Sequence, residues 1–142
     1  MNFDVHIPFV DLLGFELRRF EGGEAEIAFE ARPEHTNSFG VVHGGAVMTL
    51  LDVAMAHAAR SLESGMGCVT IEMKTSFMRA AQGRLLAKGR LLHRTATMAF
   101  TEGRIVDEDG QLLAHATGTF KYVPRLPVGG RRARPLNTIR TD

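Results

Sequence analysis

The 142-residue chain predicts an α+β fold, an antiparallel sheet of about six strands with one long helix, on three observations. Only one stretch, Ala46 to about Leu62, repeats its apolar residues with helical spacing. Two runs of alternating apolar and polar residues precede it, and four more follow it with only short turn signals between them. Consecutive strands without intervening helices form an antiparallel meander, which sets the fold apart from a doubly wound parallel sheet. One helix cannot cover both faces of six strands, so a dimer, or a dimer of dimers, is the expected way to cover the rest.

Each element has its own signature. The segment "IPFVDLL" at 7–13 reads as a short helix or turn forming an apolar lid. "FELRRFEGGEAEIAFEA" reads as strand, Gly22-Gly23 turn and strand, with Ala25, Ile27 and Phe29 alternating against Glu24, Glu26 and Glu30. Residues 33–42, with Pro33, Asn37, Ser38 and Gly40, form a loop. In the helix, Val47, Leu50, Leu51, Ala54 and Ala58 make one stripe, and the glycines of "ESGMG" end it. "CVTIEMKTSFM", "GRLLAKGRLLHR", "TATMAFTEGRIV" and "QLLAHATGTFKYV" are the later strands, with "DEDG" at 107–110 as a hairpin turn. In the first of these, Val69, Ile71, Met73, Thr75 and Phe77 are expected on one face; in the last, Leu112, Ala114, Ala116, Gly118 and Phe120.

A chain of this length forms one core without a disulfide or metal staple, and the single Cys68 has no internal partner, which fits a reducing compartment. Asp4 and Asp11 interrupt any signal-peptide pattern and no apolar run spans a membrane, so a cytoplasmic location and no membrane partner are expected. The last nineteen residues carry Arg125, Arg131, Arg132, Arg134 and Arg140 against Asp142, a net of +4 that leaves −3 for residues 1–123. We therefore divide the chain into a single domain, 1–123, and a Pro/Gly/Arg-rich tail, 124–142, expected to be extended or disordered. The domain has no basic excess and few aromatics, which speaks against a nucleic-acid partner.

The chemistry concentrates in "HTNSFGVVHGGAVMTLLDVAMAHAAR", His35 to Arg60. Gly44 and Gly45 stand at a helix N-terminus, where backbone N–H groups lack helical partners, and their bare backbone can serve as an oxyanion hole. Asp52 shares its side of the helix with Met48, Met55, Ala56 and Ala59, an apolar setting for a carboxylate. It lies eight residues beyond Gly44, about 12 Å along the axis, and its short side chain cannot reach that backbone. If both act on one substrate, two copies related by a two-fold must share the site. His57 reads as a helix residue paired with solvent.

His6, His35, His43, His57, His93 and His115 show no metal-ligand spacing, so no metal and no cofactor are assigned. "HGG" lacks the G-x-S-x-G elbow of serine esterases, "GMGCVT" lies between helix and strand and lacks a dinucleotide loop's third glycine, and Cys68 reads as a small buried hydrophobe.

The motif Asn37 to Asp52, with "VTIEMKTSFMRAA" at 69–81 and "GRLLAKGR" at 83–90, resembles the hotdog-fold acyl-CoA thioesterases, specifically the PaaI type associated with phenylacetic acid degradation, over about residues 10–123. The resemblance implies a sheet wrapped around the central helix, and hydrolysis of an acyl-CoA at a site assembled between subunits. It implies Asp52 as general base or nucleophile, the Gly44 N–H as oxyanion donor, Asn37 as a holder of water, His43 as a group polarising the carbonyl site and Thr70 as an assistant to the water. Gly45 and Met48 are candidates for substrate contact, and Arg79, Lys88, Arg90 and Arg94 for the phosphates of coenzyme A. Met48, Met55, Met66, Met73 and Met78 suggest an adaptable lining for an aromatic or medium-chain acyl group. A non-catalytic acyl-CoA-binding module and a hotdog hydratase or dehydratase are the competing readings.

Overall fold

The computed structural model describes residues 1–127 and 133–139. A short helix α1 (Pro8–Leu13) leads into the hairpin β1 (Glu16–Glu21) and β2 (Glu24–Glu30), then a 3-10 turn at Pro33–His35 and the long helix α2 (Gly44–Arg60). Strands β3 (Gly67–Phe77), β4 (Arg84–Arg94), β5 (Met98–Val106) and β6 (Leu112–Val123) follow, with short strands β7 (Arg125–Pro127) and β8 (Ala133–Pro135) in the tail. The β1–β2 turn works because Gly22 and Gly23 both take positive φ, 60° and 85°, the pairing that a two-residue hairpin turn demands.

The sheet is antiparallel in the order β1-β2-β4-β5-β6-β3. The expected meander therefore holds for β4, β5 and β6 only: β3 crosses to the far edge beside β6, and β4 takes the place next to β2. Alternation marks a segment as a strand but carries no information about its neighbour, so the four similar patterns could not show this exchange.

Helix α2 crosses the sheet over Gly89, Gly103 and Gly118, one glycine on each of three adjacent strands. A Cβ on Gly89 would lie 2.3 Å from the Ala54 carbonyl oxygen, so the helix backbone itself rests on β4. Gly103 and Gly118 make the slot for Met55, which is fully buried. The expected stripe of Val47, Leu50, Leu51, Ala54 and Ala58 is buried throughout. It meets Ile27, Phe29, Leu85 and Phe120 in the core.

His57 corrects the solvent-paired reading. It is buried edge-on to the rings of Phe3 and Phe20, and its Nδ1–H donates to the Val53 carbonyl at 2.9 Å. Burial, the largest influence, pushes its pKa down to about 4, so it stays neutral in the core.

Edge strand β3 is half-covered at best: Ile71 and Phe77 are 54% and 53% exposed. A bulge between Thr70 and Glu72 inserts one extra residue against β6. Before it Cys68 and Thr70 face the helix; after it Met73 and Phe77 do. The single alternating face expected for Val69 through Phe77 is thus broken at Ile71. Glu72, on the other side, accepts a hydrogen bond from Thr119.

The described part of the tail is paired chain rather than free chain. Val5 bridges Thr138, the His6 N–H donates to the Asn137 carbonyl at 2.9 Å, and the Ile139 N–H to that of Asp4 at 3.0 Å. These are backbone contacts, which a composition of Pro and Arg does not advertise. Arg131, Arg132, Arg140 and Asp142 lie outside the described residues.

Candidate active site

The start of α2 is organised by side chains acting on backbone. His43 is the N-cap, and its Nδ1 accepts the Gly45 N–H at 2.8 Å. An accepting Nδ1 carries no proton, which puts the proton of a neutral ring on Nε2. A Cβ on Gly45 would lie 3.0 Å from that Nδ1, so this glycine fits the cap and its N–H is engaged. Gly44 differs: its N–H has no hydrogen-bond partner among the described residues. It stands at the positive end of a seventeen-residue helix, beside the ring of Phe77.

Asn37 ties the preceding loop. Its Oδ1 accepts from the N–H groups of Phe39 (2.9 Å) and Val41 (3.3 Å), and Gly40 closes the turn at φ 77°. The Asn37 Nδ2 donates to nothing among the described residues. The loop is fastened by the Val42 N–H to the Ala81 carbonyl and by the His43 N–H to that of His35, both at 2.9 Å.

Asp52 lies further along the same helix, half-buried, where the bulge of β3 brings Thr70 to meet it. The Thr70 hydroxyl donates to Asp52 Oδ1 at 2.6 Å, and Oδ2 has no protein partner among the described residues. Burial raises the Asp52 pKa above its ordinary value, and the Thr70 hydrogen bond opposes part of that rise. A carboxylate so placed is a stronger proton acceptor than one in open water. Met55 turns away into the sheet, and Met48 is partly exposed one turn before Asp52.

Within one chain these groups stand at two separate places. Gly44 and Asn37 line a cavity of about 390 Å³ together with Phe77 and Arg79. Asp52 and Thr70 stand eight residues, about 12 Å, along the helix. Of the proposed phosphate contacts, only Arg79 lies at the Gly44 cavity. Lys88 and Arg90 flank Gly89, whose missing Cβ points at the helix, so both project from the opposite face, where they pair with Glu26 and Glu102. Arg94 pairs with Glu63 at 3.0 Å and lies over the Tyr122 ring. Phe77 was not singled out from sequence; only the bulge puts it beside Gly44. No group of three His, Cys, Asp or Glu side chains able to hold a metal ion occurs among the described residues.

A sheet wrapped on one helix, a bare helix N-terminus and a carboxylate in mid-helix define a hotdog protein of the PaaI type. Residues 39–114 match the model of the thioesterase superfamily, and the chain belongs to that family. Among relatives, the medium/long-chain acyl-CoA thioesterase YigI of Escherichia coli is 28% identical over 137 residues, covering 83% of this chain and 87% of that one. A conserved protein of Pseudomonas aeruginosa superposes with a TM-score of 0.80 at 29% identity, covering 84% of this chain and 97% of the other. A variant of the phenylacetic acid degradation protein PaaI from Thermus thermophilus gives 0.74 at 28% identity, covering 81% and 98%. Asn37 and the tail lie outside the family match.

Proposed function

We propose that this chain hydrolyses acyl-CoA thioesters at a site shared by two copies of itself. The observation that carries the reading is the pair of uncommitted groups on one helix, the Gly44 N–H and the Asp52 Oδ2, too far apart to act on the same carbonyl within one chain. An antiparallel partner helix brings one copy's Asp52 to the other's Gly44. The exposed apolar residues of edge strand β3, Ile71 and Phe77, supply a surface for that partner. YigI, an acyl-CoA thioesterase by name, supports the substrate class.

The thioester carbonyl oxygen accepts the Gly44 N–H, and the Nε2–H of His43, the residue before it, is the candidate second donor. Asp52 takes a proton from water as the water oxygen bonds to the carbonyl carbon. Collapse of the tetrahedral intermediate breaks the C–S bond, and the thiolate takes up the proton to leave as coenzyme A. Because thiolate leaves readily, a positioned base and one oxyanion donor suffice without a triad. Direct attack by Asp52 would instead form a mixed anhydride; single turnover in oxygen-18 water labels the Asp52 carboxylate only in that case.

The reading is tested by thiol release from acetyl-, octanoyl-, dodecanoyl- and phenylacetyl-CoA without added metal. Release from at least one apolar acyl-CoA is expected. Binding without release from any would identify a non-catalytic acyl-CoA-binding module.

A further inference from the structure

A second cavity, about 410 Å³, opens one helical turn beyond Asp52. Ala56 lies four residues on, about 6 Å, and Cys68 sits two residues from Thr70 on the same side of β3, so both elements of the Asp52–Thr70 pair run on into its wall. The volume falls in the range of about 300–1,000 Å³ usual for small-molecule sites. Its deeper lining is neutral. Burial pushes the Cys68 thiol up to about 11 and the His57 imidazole down to about 4. Arg60, also buried, has its charge engaged by Asp4 through two hydrogen bonds of 2.9 Å. Polar side chains, His6, Arg134 and Asn137, stand at the exposed outer rim.

The two cavities thus differ as the two ends of an acyl-CoA differ. The Gly44 cavity carries, among apolar residues, Asn37 and a cation, Arg79, unpaired among the described residues; the Ala56 cavity is hydrocarbon apart from its neutral His57, the Asp4-paired Arg60 and its polar rim. Its far wall is made by chain outside the thioesterase match, Val5 and Ile7 from the N-terminal segment and Leu136 from the tail. That wall is held in place. Leu136 Cδ1 packs so tightly over Gly67 that a Cβ there would lie 3.1 Å from it. The flanking backbone is tied to residues 4–6, and Asp4 is anchored by Arg60 at the end of the helix. Arg60 is eight residues from Asp52, so the closed end lies about 12 Å along the helix from the carboxylate.

We infer that the returning C-terminal segment, with Leu136 packed against β3, closes the far end of an acyl chamber and sets the length of acyl group that the site accepts. The inference rests on the thioester-hydrolase reading of Asp52. It makes the tail a specificity element rather than an appendage. Leu136 acts as a positioning residue for the chain end, remote from the reacting carbonyl.

The test compares kcat/KM for acetyl-, octanoyl- and dodecanoyl-CoA in the full chain and in Leu136→Ala and Leu136→Trp. A methylene gained or lost in an apolar pocket changes discrimination about tenfold or more. Leu136→Ala should therefore raise the dodecanoyl-to-octanoyl ratio about tenfold, and Leu136→Trp should lower it, with acetyl-CoA turnover unchanged in both. An equal change on all three substrates overturns the inference, since a merely structural wall would act on all alike. A readout independent of turnover uses the absence of tryptophan from the chain. In Leu136→Trp the single indole should be quenched saturably by a terminally brominated octyl thioether of coenzyme A and not by the unbrominated compound. Quenching without hydrolysis by the wild type retains the chamber and rejects the hydrolase reading; hydrolysis without quenching does the reverse. Absence of both rejects both.

Discussion

Replacing Thr70 by Val keeps the shape of the side chain and deletes the hydroxyl that donates to Asp52 at 2.6 Å. Burial raises the Asp52 pKa and that hydrogen bond restrains the rise, so in the variant only burial remains. The carboxyl then holds its proton to higher pH, and less of the enzyme carries the base. A hydrogen bond to a charged group contributes about 1.5–3 kcal/mol. Thr70 is exposed, and water can replace part of what is lost, so the lower end applies. One factor of ten corresponds to about 1.4 kcal/mol. On the acidic limb of the kcat/KM profile the variant should therefore run about tenfold slower than the wild type. On the alkaline plateau, where Asp52 is ionised in both, the two should converge. Thiol release from octanoyl-CoA across the pH range measures this, and Thr70→Ser should restore the wild-type limb. Superimposable limbs would refute the argument that Thr70 stabilises the charge. A loss equal at every pH would show instead that the hydroxyl holds the attacking water.

Four other outcomes follow from the same structure. Asp52→Asn should lower turnover by about 10²–10⁴-fold. It should also raise the melting temperature at neutral pH: a carboxyl whose folded pKa is raised stabilises the fold below its ordinary pKa and loses that contribution as pH rises, so the gain should vanish in acid, as calorimetry at two pH values would reveal. Coexpressing Asp52→Asn with Asn37→Ala should return activity in heterodimers verified by native mass spectrometry, because one composite site is then intact; inactive heterodimers would put both groups to work within one chain. Gly89→Ala should cost about 1–3 kcal/mol or more in urea unfolding, since its Cβ meets helix backbone at 2.3 Å, whereas Gly118→Ala meets only side-chain ends and should cost less.

The parts of the fold visible in the sequence are those set by local periodicity. The α2 stripe, the Gly22-Gly23 turn and the alternation of Ala25, Ile27 and Phe29 each follow from the spacing of one segment, and all three stand in the structure. The place of β3 and the pairing of residues 137–139 with 4–6 depend on partners distant in sequence. So does the burial of His57, which needs Phe3 and Phe20 from elsewhere in the chain. In the site, the separation of Gly44 from Asp52 was legible because a helix converts residue number into distance. The side on which Lys88 and Arg90 lie was not, because it is fixed by the helix resting on Gly89.

The bulge at Ile71 gives β3 the character of a gear with one tooth out of step. Upstream of it the even-numbered residues mesh with the helix, and downstream the odd-numbered ones do. One strand thereby serves two stations along α2 that a regular pleat could not address together: Thr70 at the carboxylate and Phe77 at the helix start. The bulge offsets an odd spacing of seven residues: deleting Ile71 would leave Thr70 and Phe77 six apart, on one face of a regular strand with every pairing to β6 kept. Transplanting Thr70 and Phe77 together at their present spacing onto another sheet accordingly means carrying the extra residue with them.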